Sequence, residues 1–597
     1  MKTIIPTIIL TILAFICSAE SKDNHNYRAD GGQLKLYFFY ELLHDLGIEV
    51  EDGIKTRSKD WSLNELVIPV SQAGGLDLYV PDDGLKGVPT GQLLLEADFS
   101  WRSEGDLISF RNLTIQPVKR ALKAGELTAL EVINEGGDVL FNLDHIHAGF
   151  NNNKSMVEFN NMDLRISQWL ADKLGKSYLG QMVVGHAHMS NQVSIPTNYV
   201  KDQAYILGGC TSGGWPDENN PIDVQLIAMS AQYVRSIGND HVVFTPSATL
   251  KNVADSDVAW WRKFTGVNPP YDNDQHPYLY WSMYREIDNR FEQIGTSGLK
   301  HAFFTVNTFC ACSGGQILYP TCEDTYSVGN NDSPSHLGPK AEIEAFSGLW
   351  QSTGSFFDQV PAGGDGSQDT NSNGTDENRM VVAEADFADT NLDYYISSWY
   401  VIRDDIDIYN SMGYRGYQFT PNGNAWITNS TTAFINGPAS DQYVTPNTFD
   451  LAAGTASQRL LQAGEGHLTV AVKVIDLKDG TYRYNYMVEN HDYDPQVQTI
   501  TLVLADLASF SDFVFADTDE LAANDWGFIR DSNELILQAP PENTLDWGEL
   551  YSFSFTTNAA PQAGQVVLTG SENGGDEFSA DVITPLFTDL IFENGFE

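Results

Sequence analysis

Two His-x-His pairs carry the clearest metal chemistry in this chain: His145 with His147 in NLDHIHAGF, and His186 with His188 in VVGHAHMS. On a strand, residues two apart share a face, so each pair can offer two imidazoles to one ion. Both pairs together would supply four nitrogens, a set suited to copper or zinc. Multicopper oxidases also use His-x-His elements, but their His-Cys-His element has no counterpart here, so that family is not carried over. The competing expectation is strand histidines that face solvent or are hydrogen-bonded within the fold.

A second constellation is Asp369-x-Asn371-x-Asn373-Gly374-x-x-Glu377. Oxygen ligands at alternate positions can wrap a calcium ion, and the glycine permits a sharp turn. An EF-hand needs an acidic residue at its twelfth position, where Met380 stands, so the expectation is the shorter Asp/Asn-rich loop of extracellular proteins. Asp517, Asp519 and Glu520 form another calcium candidate. Calcium is the one cofactor expected. GTSGL at Gly295 to Leu299 lacks the full nucleophile elbow, and no His-Glu-x-x-His helix, phosphate loop or dinucleotide fingerprint is present.

The elements that must position these groups are read as short strands. The chain has 597 residues, too many for one core at ~100–200 residues per domain. Lys2, the apolar run Ile4 to Ile16 and the small residues before Glu20 read as a signal peptide over residues 1–19. That run is shorter than the ~20 residues needed to span a bilayer, and no membrane span is expected. Residues 27–250 read as a β-rich domain with strands at Leu93 to Ser100, Leu107 to Ile115 and Val157 to Ile166. Helical spacing is read in Leu34 to Leu46 and Ser167 to Leu174, with Gly175 as a C-cap.

Residues 255–361 form a cysteine-bearing, loop-rich segment containing a hairpin that turns at Asp288-Asn289. Residues 362–378 read as a Gly/Ser/Asp/Asn linker, 380–573 as an antiparallel β-sandwich, and 574–597 as an acidic tail. The sandwich signal is strongest where Leu468, Val470, Val472 and Val474 alternate before Asp479-Gly480, with Tyr482, Tyr484, Tyr486 and Val488 alternating after it. The fold class is therefore mainly β and multidomain.

With Cys17 in the leader, Cys210, Cys310, Cys312 and Cys322 remain, an even number that fits two disulfides in an exported chain. Cys310 and Cys312 are too close to bridge without strain, so Cys322 takes one of them and Cys210 the other. The competing expectation is a metal site using Cys310, Cys312, Cys322 and His301 or His336. The formal net charge of −46 repels nucleic acid and anionic lipid. It implies a solvated acidic coat or divalent-cation binding. The run YLYWSMY, Tyr278 to Tyr284, can line a glycan-binding face or a core.

The stretch QHPYLYWSMYREIDNRFEQIGTSGLKHAFF resembles a segment of large secreted proteins of planctomycetes and marine gammaproteobacteria, as do TYRYNYMVEN and the LIFENGFE ending. The resemblance covers roughly half the chain in pieces. It implies a bacterial protein working outside the cytoplasm and supplies no reaction. The expectation is an exported, non-catalytic binding protein with an extracellular glycan or protein ligand. The alternatives are a secreted metal-dependent enzyme using the histidine pairs and a carbohydrate-binding protein.

Overall fold

The computed structural model describes residues 25–52, 65–80, 85, 87–118, 130–150, 155–194, 210–238, 240–310, 312, 314–359, 364–462, 464–504, 508–519, 521–571 and 576–586. Residues 1–24, which include the expected signal peptide, Glu520 and residues 587–597 lie outside them. The described chain is mainly β, in several antiparallel sheets with a few helices of at most six residues.

The N-terminal part closes into a barrel. The Val183–Ser194 strand pairs with His25–Phe38 on one side and Met156–Ile166 on the other. The circuit between them runs through Gly75–Val80, Gly87–Ser103, Asp106–Pro117, Leu130–Ile133 and Val139–Asp144. Closure satisfies the edge amides that an open sheet would expose. Alternation fills the inside: Phe38, Phe99, Trp101, Phe110 and Phe141 are buried and their rings meet at 4.5–6.4 Å.

The helix read over Leu34 to Leu46 is corrected. Its first half belongs to the His25–Phe38 strand, and the helix is Tyr40–Asp45. Leu34, Leu36 and Phe38 are buried at period two, so the barrel claims them before the helical spacing takes over. The second helix, Gln168–Lys173, forms as read. Ser167 Oγ accepts from Leu170 N at 3.0 Å, and Gly175 takes φ +70° just past the end.

Beyond the barrel, the Tyr278–Ile287 strand turns at Asp288 and Asn289, both with positive φ, into Arg290–Thr296. Its other edge pairs with Asp393–Val401, which continues to Met412–Asn422 and Ala425–Ser430. The Met380–Ala383 strand pairs with His241–Asn252. The strands from Met380 to Asn436 thus complete the middle of the molecule. The sandwich itself starts later, at Thr448–Asp450. One of its sheets runs through Thr455–Gln462, Gly466–Asp476, Tyr482–Asn490, Glu549–Thr557 and Ser511–Ala516. The other orders Gly527–Asp531, Glu534–Gln538, Val497–Val503, Ala560–Gly570 and Glu577–Leu586. Tyr284, Phe291, Tyr395 and Tyr443 pack with Met487 and Leu550, joining the sandwich to the middle sheet through a shared core.

Two disulfides fasten the middle: Cys210 to Cys312 and Cys310 to Cys322, with sequence separations of 102 and 12. On the chain-entropy account, cross-links of such spans are worth about 4–5 and about 3 kcal/mol against the unfolded chain.

Candidate functional site

The two His-x-His pairs flank the Met156–Ile166 strand from opposite sides and do not form one ligand set. Val139–Asp144 ends just before His145, whose φ of +52° breaks the strand, and pairing resumes at His147–Phe150. The period-two premise therefore fails for His145 and His147. His186 and His188 lie in one strand, with rings 5.5 Å apart edge-to-face, and Tyr37 stacks on His186 at 4.6 Å. Burial holds both of these imidazoles neutral, His188 at about 4 with Lys35 adding to the effect, and His186 well below the usual value.

The residue that links the pairs is Asp163, which the sequence reading passed over. It lies opposite Asp144 on one neighbouring strand and His186 on the other. His145 Nδ1 sits 3.3 Å from Asp144 Oδ1 and 3.3 Å from Asp163 Oδ2. Arg165 donates to Asp144 Oδ2 at 2.8 Å and to Asp163 Oδ2 at 2.9 Å. Burial pulls the His145 imidazolium toward neutrality, but the Asp144 and Asp163 carboxylates more than reverse this and hold it at about 10. Two carboxylates thus face one guanidinium and one imidazolium, and the local charge closes to zero. Asp144, His145 and Asp163 lie close enough to share a metal ion. A divalent ion would have to displace the imidazole proton and accept Arg165 as a neighbour. The donor set fits an ion-pair network better than a copper or zinc centre.

The short helix Val328–Asn331 packs on this network and explains a glycine. Gly329 N donates to Asp163 Oδ1 at 2.7 Å. A Cβ at Gly329 would stand 2.7 Å from that oxygen and 2.8 Å from His186 Cβ. Next to it, Asn330 Nδ2 donates to His147 Nδ1 at 3.1 Å, which fixes the proton of the buried His147 on Nε2, 3.8 Å from Asp324 Oδ1. His147 stacks on Tyr326 at 5.0 Å.

Behind this helix lies a buried layer of cations and imidazoles. Lys263 Nζ donates to Ser335 O at 2.6 Å, lies 3.2 Å from His336 Nδ1 and sits over the Phe357 ring at 4.4 Å. Burial, with Arg262 adding to it, lowers its ammonium to about 7. Lys300 Nζ donates to His301 O at 3.1 Å and lies 4.2 Å from the Tyr326 ring centre. His276 Nδ1 lies 2.9 Å from the Asp274 carbonyl oxygen and so carries the proton. His276 Nε2 then accepts from His301 Nδ1 at 2.9 Å, leaving His301 Nε2 against Gly338 and Phe357.

The zinc reading of Cys310, Cys312 and Cys322 with His301 or His336 is corrected. The sulfurs are consumed in disulfides, and both histidines are bound to other partners or packed on aromatic rings. Of the calcium candidate, Asp369 gathers with Asp358 and Asp365, close enough to share an ion. Asn371 accepts from Gln368 Nε2 at 2.8 Å, and the Glu377 carboxylate accepts from Asn373 N. Asp358 Oδ2 accepts from Gly354 N at 2.9 Å and Gly366 N at 3.1 Å, which holds its carboxyl below the usual range. Asp517 accepts from Asn543 Nδ2 at 2.7 Å, and Asp519 Oδ1 from Leu521 N at 2.6 Å.

The aromatic run Tyr278 to Tyr284 is buried throughout, so it is core and offers no glycan platform. Open clefts lie elsewhere on the barrel. One of about 690 Å³ is lined by Arg28, Thr90, Gln92 and Gln116, and one of about 500 Å³ by Tyr40, Glu41, His44 and Asp45.

No protein-family model and no curated protein matches the chain. Among solved structures, a serine-rich repeat adhesion glycoprotein from Streptococcus agalactiae aligns over 61% of this chain and 98% of its own, at 8% identity and a TM-score of 0.15. A likeness at that score decides neither fold nor function. Among the described residues, no helix is long and apolar enough to cross a membrane.

Proposed function

We propose that the chain is an exported bacterial protein that acts at or outside the cell surface by binding an extracellular protein or glycan. The observation that carries this reading is how the reactive side chains are used. His145, Asp144, Asp163 and Arg165 neutralise one another, His147 and His186 pack on Tyr326 and Tyr37, and Cys210, Cys310, Cys312 and Cys322 are all bridged. Within this network, Asp163 and His147 tie the barrel to the middle segment through Gly329, Asn330 and Tyr326. Two disulfides support an oxidising compartment. The −46 charge supports a ligand that is neither nucleic acid nor anionic lipid. Calcium belongs to the same proposal as a stiffener of the 354–369 loop, held by Asp358, Asp365 and Asp369.

The test is expression in a marine gammaproteobacterial host with the native leader. N-terminal sequencing and non-reducing peptide mass mapping are then applied to the medium and envelope fractions. A mature chain beginning near Glu20, with Cys210–Cys312 and Cys310–Cys322 peptides, is expected. An intracellular chain that keeps Met1 and five free thiols, Cys17 included, overturns the reading.

A further inference from the structure

The sandwich is left open along one side. Gly527–Asp531 ends one sheet and Ser511–Ala516 ends the other; among the described residues, no strand pairs with their outer edges. These are among the least covered strands of the sandwich. Phe528 is 42% exposed and Ile529 51%. Phe528 bridges the two edges, its ring 4.8 Å from Phe510 and 4.7 Å from Phe513, so the edges frame one aromatic strip. A strand edge with exposed apolar side chains is a template for pairing with another chain, and proteins commonly blunt such edges.

Charge selects the occupant. Asp512, Asp519, Asp525, Asp531 and Glu534 are exposed around this edge. Among the described residues of these two strands the one cation, Arg530, donates to Ala508 O at 3.1 Å and lies over the Phe510 ring. A second copy of the chain would set one such group of carboxylates against another, and like charges across a ladder are destabilising. We infer that this edge docks an extended, cationic segment of a partner protein, added as a strand beside Gly527–Asp531. Its alternate apolar side chains would lie on Phe528 or Ile529, with Lys or Arg facing the carboxylates. The inference deepens the binding reading above and rests on it.

The test uses the full mature chain and three fluorescent nine-residue peptides. One alternates Lys and Val. One has the same sequence with alternate backbone nitrogens methylated, so charge is kept and pairing is blocked. One has Glu for Lys. At 150 mM salt the first is expected to bind at least tenfold tighter than either control and to slow amide exchange in 527–531. The Ile529→Lys/Asp531→Lys variant should lose at least tenfold of that affinity. Equal binding of the two cationic peptides overturns the inference, since the attraction is then charge alone. So does exchange protection elsewhere, or a dimer in sedimentation that the variant dissolves. If the peptides fail while export and both disulfides are found, this surface is wrong and the binding reading still stands.

Discussion

Replacing His145 with Asn separates charge from backbone shape at the centre of the barrel network. Asn tolerates a φ near +52° better than most residues, so the strand break survives. The imidazolium does not. In the folded protein His145 holds its proton to about pH 10, against an ordinary value near 6.5. A folded value above the unfolded one gives stability that is full below about pH 6.5 and lost as pH rises through 10. That separation is worth about 5 kcal/mol before screening. The side chain is 25% exposed, which reduces the figure to roughly 2–4 kcal/mol. The assay is urea unfolding of wild type and His145→Asn, followed by tryptophan fluorescence in excess chelator at pH 6.5, 8 and 10. The variant should be less stable by about 2–4 kcal/mol at pH 6.5, and the two should converge near pH 10. A gap that stays constant across this range would mean that His145 is neutral when folded. The ion-pair account of the site would then be wrong.

Lys263 should behave in the opposite sense. Its folded value of about 7 lies below the ordinary lysine value, so wild type gains stability from pH 7 toward 10.5 while Lys263→Met does not; melting curves at both ends check this. At neutral pH the Met variant should melt a few degrees higher, relief of the buried charge outweighing the lost bond to Ser335 O. Acid should loosen the barrel between pH 6.5 and about 4, where unfolded histidines charge and His188 stays neutral, seen as a falling denaturation midpoint that His188→Phe softens. Gly329→Ala should cost about 2–4 kcal/mol through its clash with Asp163 and His186, measured by the same unfolding assay. Asp369→Asn should weaken calcium binding in calorimetry at least tenfold, because Asp369 joins Asp358 and Asp365 in one carboxylate cluster.

What the sequence revealed followed local rules. Asp288-Asn289 and Asp479-Gly480 mark hairpins, and both formed, with positive φ at Asp288 and Asn289 in the first and at Lys478 and Gly480 in the second. The spacing of Cys310 and Cys312 narrowed the disulfides to two pairings, and the fold takes Cys210–Cys312 with Cys310–Cys322. The paired histidines were visible as a motif, but their role depends on Asp163 and Gly329, distant in sequence from one another. One signal was available: Asp163-x-Arg165 places a carboxylate and a guanidinium two apart, on one strand face. The sandwich boundary was drawn too early, since the Asp393–Val401 strand belongs to another sheet. Only its pairing with Tyr278–Ile287, far back in the chain, assigns it to the middle sheet. Asp358 was missed because it precedes the low-complexity stretch that drew attention to Asp369.

In the proposed reading the histidines and cysteines build the fold and the protein works by binding. Its most direct test is the elemental content of the chain, purified without chelator and measured by mass spectrometry with disulfides intact. Less than a tenth of an equivalent of copper or zinc per chain is expected, with calcium at no more than an equivalent or two. One full equivalent of zinc or copper, lost on His145→Asn or His186→Gln, would contradict the account and make the histidine pairs a metal centre.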